Sequence, residues 1–518
     1  MNAFPSFART LLGNLQAKQL AASKLEHGGE TELPRYDVLN DVDVDVLVSK
    51  SDPVAFQLGT GASIYTTTLL PAILQAKSEI VLVTCFWAAS KTRSALAQAL
   101  ESLALARKSW IERGHSLQPL NVHICFSSRS VFQKLFHTTS QDGYEYPPSS
   151  WTNTLGLPPA ELLEVAGLRL RVKTLFLLPF SVMHPKFVIV DRQRAFIPSC
   201  NVSWEAWLEG CVEFQGAAVT GLLDFFSRTW KMDDRINTPG PIDTGSPSPE
   251  PTVAPPNAVV SPAHHVLRFS STLSGTPTVL LPSSHHRNPQ FRPFPWQSAP
   301  CPPSTPLNVA VLQLINESRH NIYIQTPNLT CEPVICALLG ALRRGVDVTI
   351  VTSRNMMLLE QLVTAGTTTN WCIRSLLRRY RSFCAETQWP AKKGKGGAGG
   401  YRLVVDSPRV HASDVDLEGQ HPHAGRLRIC YFRPSQVASS EPDGVDASEE
   451  PVHSHLKLTI VDGAYTVLGS GNMDRASWYT SQELGILFEG REFADGVISS
   501  VNQVLKGRLD VVFDNRDV

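Results

Sequence analysis

The sequence has no net charge, no clustered cysteines and no apolar run long enough to cross a bilayer. Lys+Arg and Asp+Glu each number 47. The chain therefore has no overall field to draw in nucleic acid or an anionic membrane, and any attraction to a polyanion must be local. The 10 cysteines stand singly, as at Cys85, Cys125, Cys200, Cys211 and Cys372, without the close pairing of a zinc site. This favours a reduced intracellular setting. The best apolar candidate, 168–183, is interrupted by Arg169, Arg171 and Lys173, so no membrane span is expected. A cytoplasmic or peripherally membrane-associated protein fits these absences.

The N-terminal 25 residues hold Arg9, Lys18 and Lys24, no acid, and apolar Phe4, Phe7, Leu11, Leu12, Leu15 and Leu20. Two readings stand: a weak mitochondrial-type targeting segment, or a surface-docked helix, with the second preferred. No long apolar core followed by a small-residue cleavage site suggests a secretory signal.

A chain of 518 residues exceeds what one core supports, so two domains are expected. Residues 1–45 read as an N-terminal segment and 46–236 as a first half. The prolines of 237–262 remove donors in a run poor in large apolar residues and mark a linker. Residues 263–518 form the second half, with flexible insertions near 288–306, 392–400 and 435–451. The same order of elements recurs on both sides of the linker. In the first half a helical stretch at 69–77 leads to an apolar strand at 79–87 and a helix at 94–107. In the second, a helix at 307–318 leads to a strand at 321–327, a helix at 332–344 and a strand at 346–351. Each half then reaches a polar segment and another apolar strand, 187–190 and 458–461. Two α/β domains of related topology follow.

The polar segments carry the chemistry. The first reads His184-Pro-Lys186-Phe-Val-Ile-Val-Asp191 and the second His455-Leu-Lys457-Leu-Thr-Ile-Val-Asp462. The match continues downstream with Ser199 and Asn201 in one copy, Ser470 and Asn472 in the other, and carboxylates Glu213 and Glu483 beyond them. Residues two apart on a strand point the same way, so each imidazole shares a face with an ammonium group. Ser and Asn two apart can donate toward the same point. If the halves pack about a pseudo-twofold axis, two imidazoles, two ammonium groups and two amides converge on one tetrahedral oxyanion. A phosphodiester suits that inventory: one histidine attacks phosphorus while the other protonates the departing oxygen. Lys186, Lys457, Asn201 and Asn472 would stabilise the developing charge. Protein cations fill the role of a metal, so neither metal nor cofactor is called for. His453 beside His455 invites a metal reading, but no cysteine is near and Glu449 and Glu450 lie in the 435–451 segment.

The duplicated His-x-Lys-x4-Asp followed by Gly-Ser-x-Asn resembles the signature of the phospholipase D superfamily. The second copy, Gly469-Ser470-Gly471-Asn472, matches in full, and the first has Pro198 in place of the first glycine. The resemblance covers roughly 46–230 and 264–513. It implies two tandem α/β/α sandwich domains related by a pseudo-twofold axis, with one active site at their interface and a phosphohistidine intermediate. It also implies His184 as nucleophile, His455 as acid, Asp191 and Asp462 as structural acceptors, and Glu213 and Glu483 as histidine-orienting groups, each across the pseudo-twofold.

Within that superfamily the segments 321–327 and 342–348 are most similar to cardiolipin synthases and related phosphatidyltransferases. Hydrolysis or transfer at a phospholipid is therefore the expected activity. A phospholipase D-like nuclease is the alternative, disfavoured by the neutral charge. A catalytically inactive binding scaffold is disfavoured by intact His, Lys and Asn in both copies. A basic stretch, Arg374, Arg378, Arg379, Arg381, Lys392, Lys393 and Lys395 against Glu386, interleaves with Tyr380, Phe383 and Trp389. It reads equally as a solvated face or as a contact for anionic lipid or nucleic acid, with the aromatics tilting toward an interface. One duplicated site needs no dimer, so a monomer at a membrane periphery is expected.

Overall fold

The computed structural model describes residues 6–23, 36, 44–129, 133, 143–177, 181–203, 205–232, 253–283, 301–388, 424–435 and 449–516. The sequence-based readings at 237–252, 288–300, 392–400 and 436–448, together with Trp389, lie outside the described residues.

Apolar alternation builds the sheets. In the strand Glu79–Phe86, Ile80 and Leu82 enter one core while Val81 and Val83 enter another. The strand Asn321–Gln325 repeats the pattern with Ile322 and Ile324. Helices start where the sequence supplies caps: Ser90 Oγ accepts the Arg93 N–H at 3.1 Å ahead of Lys91–Glu112. Thr305 caps Pro306–Glu317, whose first residue is a proline pre-set for the helical φ.

The strands pair in the same order in both halves. The first runs Tyr144–Glu145, Leu168–Thr174, Leu120–Ser128, Glu79–Phe86, Phe187–Val190, Arg194–Pro198, Trp207–Gly216, Val48–Gly59. The second runs Leu509–Asp514, Leu427–Phe432, Asp347–Ser353, Asn321–Gln325, Leu458–Val461, Tyr465–Gly469, Leu484–Glu489, Thr276–Pro282. The two series meet where Val48–Ser51 pairs antiparallel with Thr276–Val279, which joins them into one 18-stranded sheet around a pseudo-twofold axis. One core lies within the first half and one mainly within the second, and a third is shared by both. This is the tandem α/β architecture expected from the duplication.

The helix Ser6–Ser23 lays Phe7, Leu11, Leu12 and Leu15 into the second half's core. Phe7 sits 5.0 Å from the Tyr465 ring, and the Asn14 amide donates to Gln313 at 3.1 Å. One expectation needs correcting: Tyr380 is no interface aromatic. It is buried and donates its hydroxyl to the Gly425 carbonyl at 2.8 Å. The strand Leu427–Phe432 has its start beside that carbonyl, so the ring belongs to the core.

Candidate active site

The motif aspartates lie at the far ends of their strands from the histidines. Asp191 and Asp462 adopt left-handed backbone with φ of 52° and 53°, and Arg192 and Gly463 follow at 58° each. These residues turn the hairpins Phe187–Pro198 and Leu458–Gly469. The freed carboxylates gather backbone N–H groups of the neighbouring strand's entry. Asp191 accepts from Lys77, Ser78 and Glu79 at 2.7–3.0 Å, and Asp462 from Arg319, His320 and Asn321 at 2.8–3.2 Å. Their carboxylates are fully engaged in anchoring one strand to the next.

At the near ends the two halves exchange backbone. His184 N–H donates to the Gln482 carbonyl at 2.9 Å, and Gln482 N–H donates to Val182 at 3.0 Å. On the other side His455 N–H donates to Leu208 at 2.8 Å, where 453–454 pairs in parallel with 207–208. Each motif is thereby tied to the strand of the opposite half. The next residue along that strand is a glutamate in both cases. His184 Nδ1 lies 2.8 and 2.9 Å from the two carboxylate oxygens of Glu483, and His455 Nδ1 lies 2.8 Å from Glu209 Oε1.

Glu213 does not orient a histidine, which corrects the sequence-based assignment. Its carboxylate accepts from Arg194 Nη2 at 2.8 Å and Nε at 3.1 Å. Sheet register explains the exchange. Cys211 pairs with Pro198 as Gly485 pairs with Gly469, so the residue two positions before each, Glu209 or Glu483, is equivalent. The serines also depart from a phosphate-contacting role. Ser199 Oγ donates to Glu209 and Ser470 Oγ to Glu483, both at 2.5 Å. Each hydroxyl in turn accepts a backbone N–H, from Gly210 at 2.9 Å and Leu484 at 3.0 Å. Ser, Glu and His therefore form two matched chains across the interface.

The lysines fold back on their own motifs. Lys186 Nζ donates to the His184 carbonyl at 2.9 Å. Lys457 Nζ donates to the His455 carbonyl at 2.8 Å and lies 2.8 Å from both ring nitrogens. Asn201 accepts from Phe86 N–H at 3.3 Å through Oδ1, and Asn472 donates from Nδ2 to Asp474 at 3.0 Å. Among the described residues the buried Oδ1 of Asn472 meets no donor.

Burial governs the electrostatics. It holds the His184 and His455 imidazoles below their ordinary range, with the lysines adding to the effect and Glu483 and Glu209 opposing it. Burial alone would raise Glu209, but His455 and Lys457 outweigh it and keep the carboxyl below its usual range. The two directions agree: an ionised carboxylate accepts N–H from a neutral imidazole. Burial also brings Lys457 down to about 7. The His184 side chain is 14% exposed against 4% for His455, so the first imidazole is the more accessible.

Three residues escaped sequence reasoning. Glu209 was readable only by setting 209–211 against 483–485. Trp207, whose ring centroid lies 4.8 Å from that of His455, carried no signal. Asp474 caps the helix Arg475–Tyr479 by accepting Ser477 N–H at 2.8 Å, and its Asp-x-x-Ser spacing was a cap signal. Burial raises its carboxyl above the usual range.

Residues 311–399 and 400–505 match the family described as cardiolipin synthase, PLD-like domain. The second segment contains His455, Lys457 and Asp462, and the pseudo-twofold supplies their counterparts in the first half. The matched stretch, 311–505, is a phospholipase D-like domain. Phosphatidylserine synthase from Haemophilus influenzae Rd KW20 is similar in fold, at 11% identity and a TM-score of 0.51, covering 99% of this chain and 93% of that one. Nuc from Salmonella typhimurium, a phospholipase D family member, is 15% identical with a TM-score of 0.25, over 46% of this chain and 96% of its own. No curated protein matches the chain. Among the described residues no helix is long and apolar enough to cross a membrane, and no cluster of three or more His, Cys, Asp or Glu is placed to hold a metal ion. All ten cysteines are free thiols.

Proposed function

We propose that the protein cleaves or exchanges the phosphodiester bond of a phospholipid through a phosphohistidine on His184. The observation that carries this reading is the reciprocal pairing of each imidazole with the other half's carboxylate. With Nδ1–H directed to Glu483, His184 keeps a lone pair on Nε2, and its low proton affinity leaves it unprotonated at neutral pH. Nε2 attacks phosphorus, the P–O bond to the leaving alcohol breaks, and that oxygen takes a proton from His455. His455, neutral before substrate arrives, takes up that proton from solvent on Nε2 as the diester binds, because the diester's negative charge raises its proton affinity. In the second step water or an alcohol gives its proton to His455 and attacks phosphorus, freeing His184.

Lys186, Lys457, Asn201 and Asn472 supply donors for the non-bridging oxygens. Substrate arrival would draw Lys457 Nζ from the His455 ring to the phosphate. Glu209 and Glu483 act through the histidines, fixing the tautomer as the triad carboxylate of a serine protease does.

The test is turnover of labelled phosphatidylglycerol, phosphatidylcholine and single-stranded DNA, with and without a primary alcohol. The expected result is a lipid product that changes when alcohol is present, with an acid-labile label on the protein that His184→Ala removes. Release of nucleotides alone would replace this reading with the nuclease. No turnover of any of the three would replace it with the scaffold.

A further inference from the structure

The helix Leu358–Ala365 is built inside out. Its one buried residue is the polar Gln361, whereas Leu358, Leu359, Leu362 and Val363 face solvent, Leu359 at 77% exposure. Trp371, 55% exposed, adds an aromatic ring at the start of the following helix, Thr369–Gln388. Leucines left in water forgo the gain from burial, and a contiguous apolar patch on a folded surface marks an interaction site.

The helix is held in this orientation from below. Gln361 Nε2 donates to Asn328 Oδ1 at 2.8 Å and to the Met356 carbonyl at 2.6 Å, while its Oε1 accepts Thr369 N–H at 2.6 Å. Arg475 reaches up to the Thr364 carbonyl at 3.5 Å. That platform adjoins the active site, since Leu329 bridges Met473, the neighbour of Asn472. The sequence flanking the apolar face is basic. Between 354 and 381 the sequence has Arg354, Arg374, Arg378, Arg379 and Arg381 against the single acid Glu360. Arg379 is paired with Glu332. Arg354 and Arg374 line one shallow pocket with Asn370 and Tyr431, and Arg354 lies 4.9 Å above the Tyr431 ring.

We propose that 354–374 is the surface by which the protein docks on an anionic phospholipid bilayer. The leucines, Val363 and Trp371 enter the acyl boundary while Arg354 and Arg374 meet headgroup phosphates. A lipid bilayer fits better than a second protein because Arg354 and Arg374, which line one pocket, stand against the single acid Glu360 within 354–374. The patch also stands beside a site read here as acting on lipid. The inference rests on that reading for its purpose, but its test does not.

The experiment is co-sedimentation of the full chain with phosphatidylcholine vesicles, with and without phosphatidylglycerol. A parallel assay follows hydrolysis of the water-soluble diester bis(p-nitrophenyl) phosphate. The wild type should sediment with the anionic vesicles, and the Leu359→Asp/Leu362→Asp double variant should lose about tenfold or more in partition. Hydrolysis of the soluble diester should stay unchanged in that variant. Arg354→Glu/Arg374→Glu should lose the preference for anionic vesicles, and Leu105→Asp, on an exposed leucine of the first half, should bind as the wild type does. Three results would overturn the inference: wild type that stays in the supernatant with both vesicles, leucine variants that sediment unchanged, or Leu105→Asp as damaging as the leucine pair. Dimerisation abolished by the same variants, without vesicle binding, would also overturn it and name a second copy as occupant. Failure of diester hydrolysis with vesicle binding intact would remove the proposed function and leave the docking surface standing.

Discussion

The two halves share a strand order and a motif, yet they differ just after the Ser-x-Asn turn. From Asn201 to Glu209 the chain takes 8 steps (209 − 201), and from Asn472 to Glu483 it takes 11 (483 − 472). The second half uses the extra residues for the helix Arg475–Tyr479, capped by Asp474. As a result Asn472 has a carboxylate neighbour at 3.0 Å, whereas Ser203 stands at the corresponding place after Asn201. Accessibility differs too, since His184 is the more open imidazole and His455 sits against Trp207. A duplicated frame can thus hold two histidines alike in their carboxylate partners and unlike in exposure.

The sharpest way to break the comparison is to remove each imidazole. His184→Ala and His455→Ala should each lower kcat on a lipid diester by about 10⁴-fold, the upper end of what a positioned proton-transfer group contributes. A nitrophenyl leaving group needs no proton, so on that substrate His455→Ala should recover acid-labile labelling and His184→Ala should not. Equal recovery by both would erase the asymmetry. Next in size are the carboxylates. Glu209→Gln and Glu483→Gln should each cost about 10- to 100-fold in kcat, the scale seen when a carboxylate behind a metal-bound histidine is removed. Glu213→Gln should leave kcat unchanged and cost about 0–1 kcal/mol of stability through its Arg194 pair, itself partly exposed. A Glu213 variant as impaired as the Glu209 variant would sink the reassignment.

Smaller effects follow from charge and from the hairpins. Lys457 carries its proton below about 7 and loses it as pH rises through that value. Its contribution to phosphate binding should therefore fade on the alkaline side, by up to about tenfold in kcat/KM per pH unit if the charged form is required. The His184 imidazole, held below its usual range, should give no acid-side fall at the ordinary histidine pKa. A pH profile flat through the alkaline range would contradict either the lowered proton affinity of Lys457 or its part in binding phosphate. Finally, Asp191→Ala and Asp462→Ala should each lower stability by about 1–2 kcal/mol, because each leaves three backbone N–H groups without their acceptor. Thermal melts of the two should shift alike if the anchors are equivalent.

Local pattern carried much of this molecule. The strands 187–190 and 458–461 read from apolar runs have the observed bounds, and the helix 332–344 read from periodicity ends one residue later than the observed Glu332–Arg343. Duplication put the two His-x-Lys pairs and both Ser-x-Asn turns in view without coordinates, since identical spacing survives in the chain itself. The carboxylates were harder. Glu209 and Glu213 sit four apart on one strand and share a face, so alternation does not choose between them. The count from Ser470 to Glu483 favoured Glu213, because the inserted helix lengthens that count in one half alone.

What the sequence by itself determined was the repeated α/β order and the identity of the imidazoles, lysines and amides, because strand and helix periods and a duplicated motif are written in neighbouring residues. Only the tertiary structure decided which carboxylate each histidine meets, where the serine hydroxyls point and which way the leucines of 358–365 face. Those outcomes depend on backbone bridges between segments hundreds of residues apart, His184 with Gln482 and His455 with Leu208, and on a buried glutamine turning a helix over. No local spacing encodes a contact between elements whose register is set by the packing of the two halves.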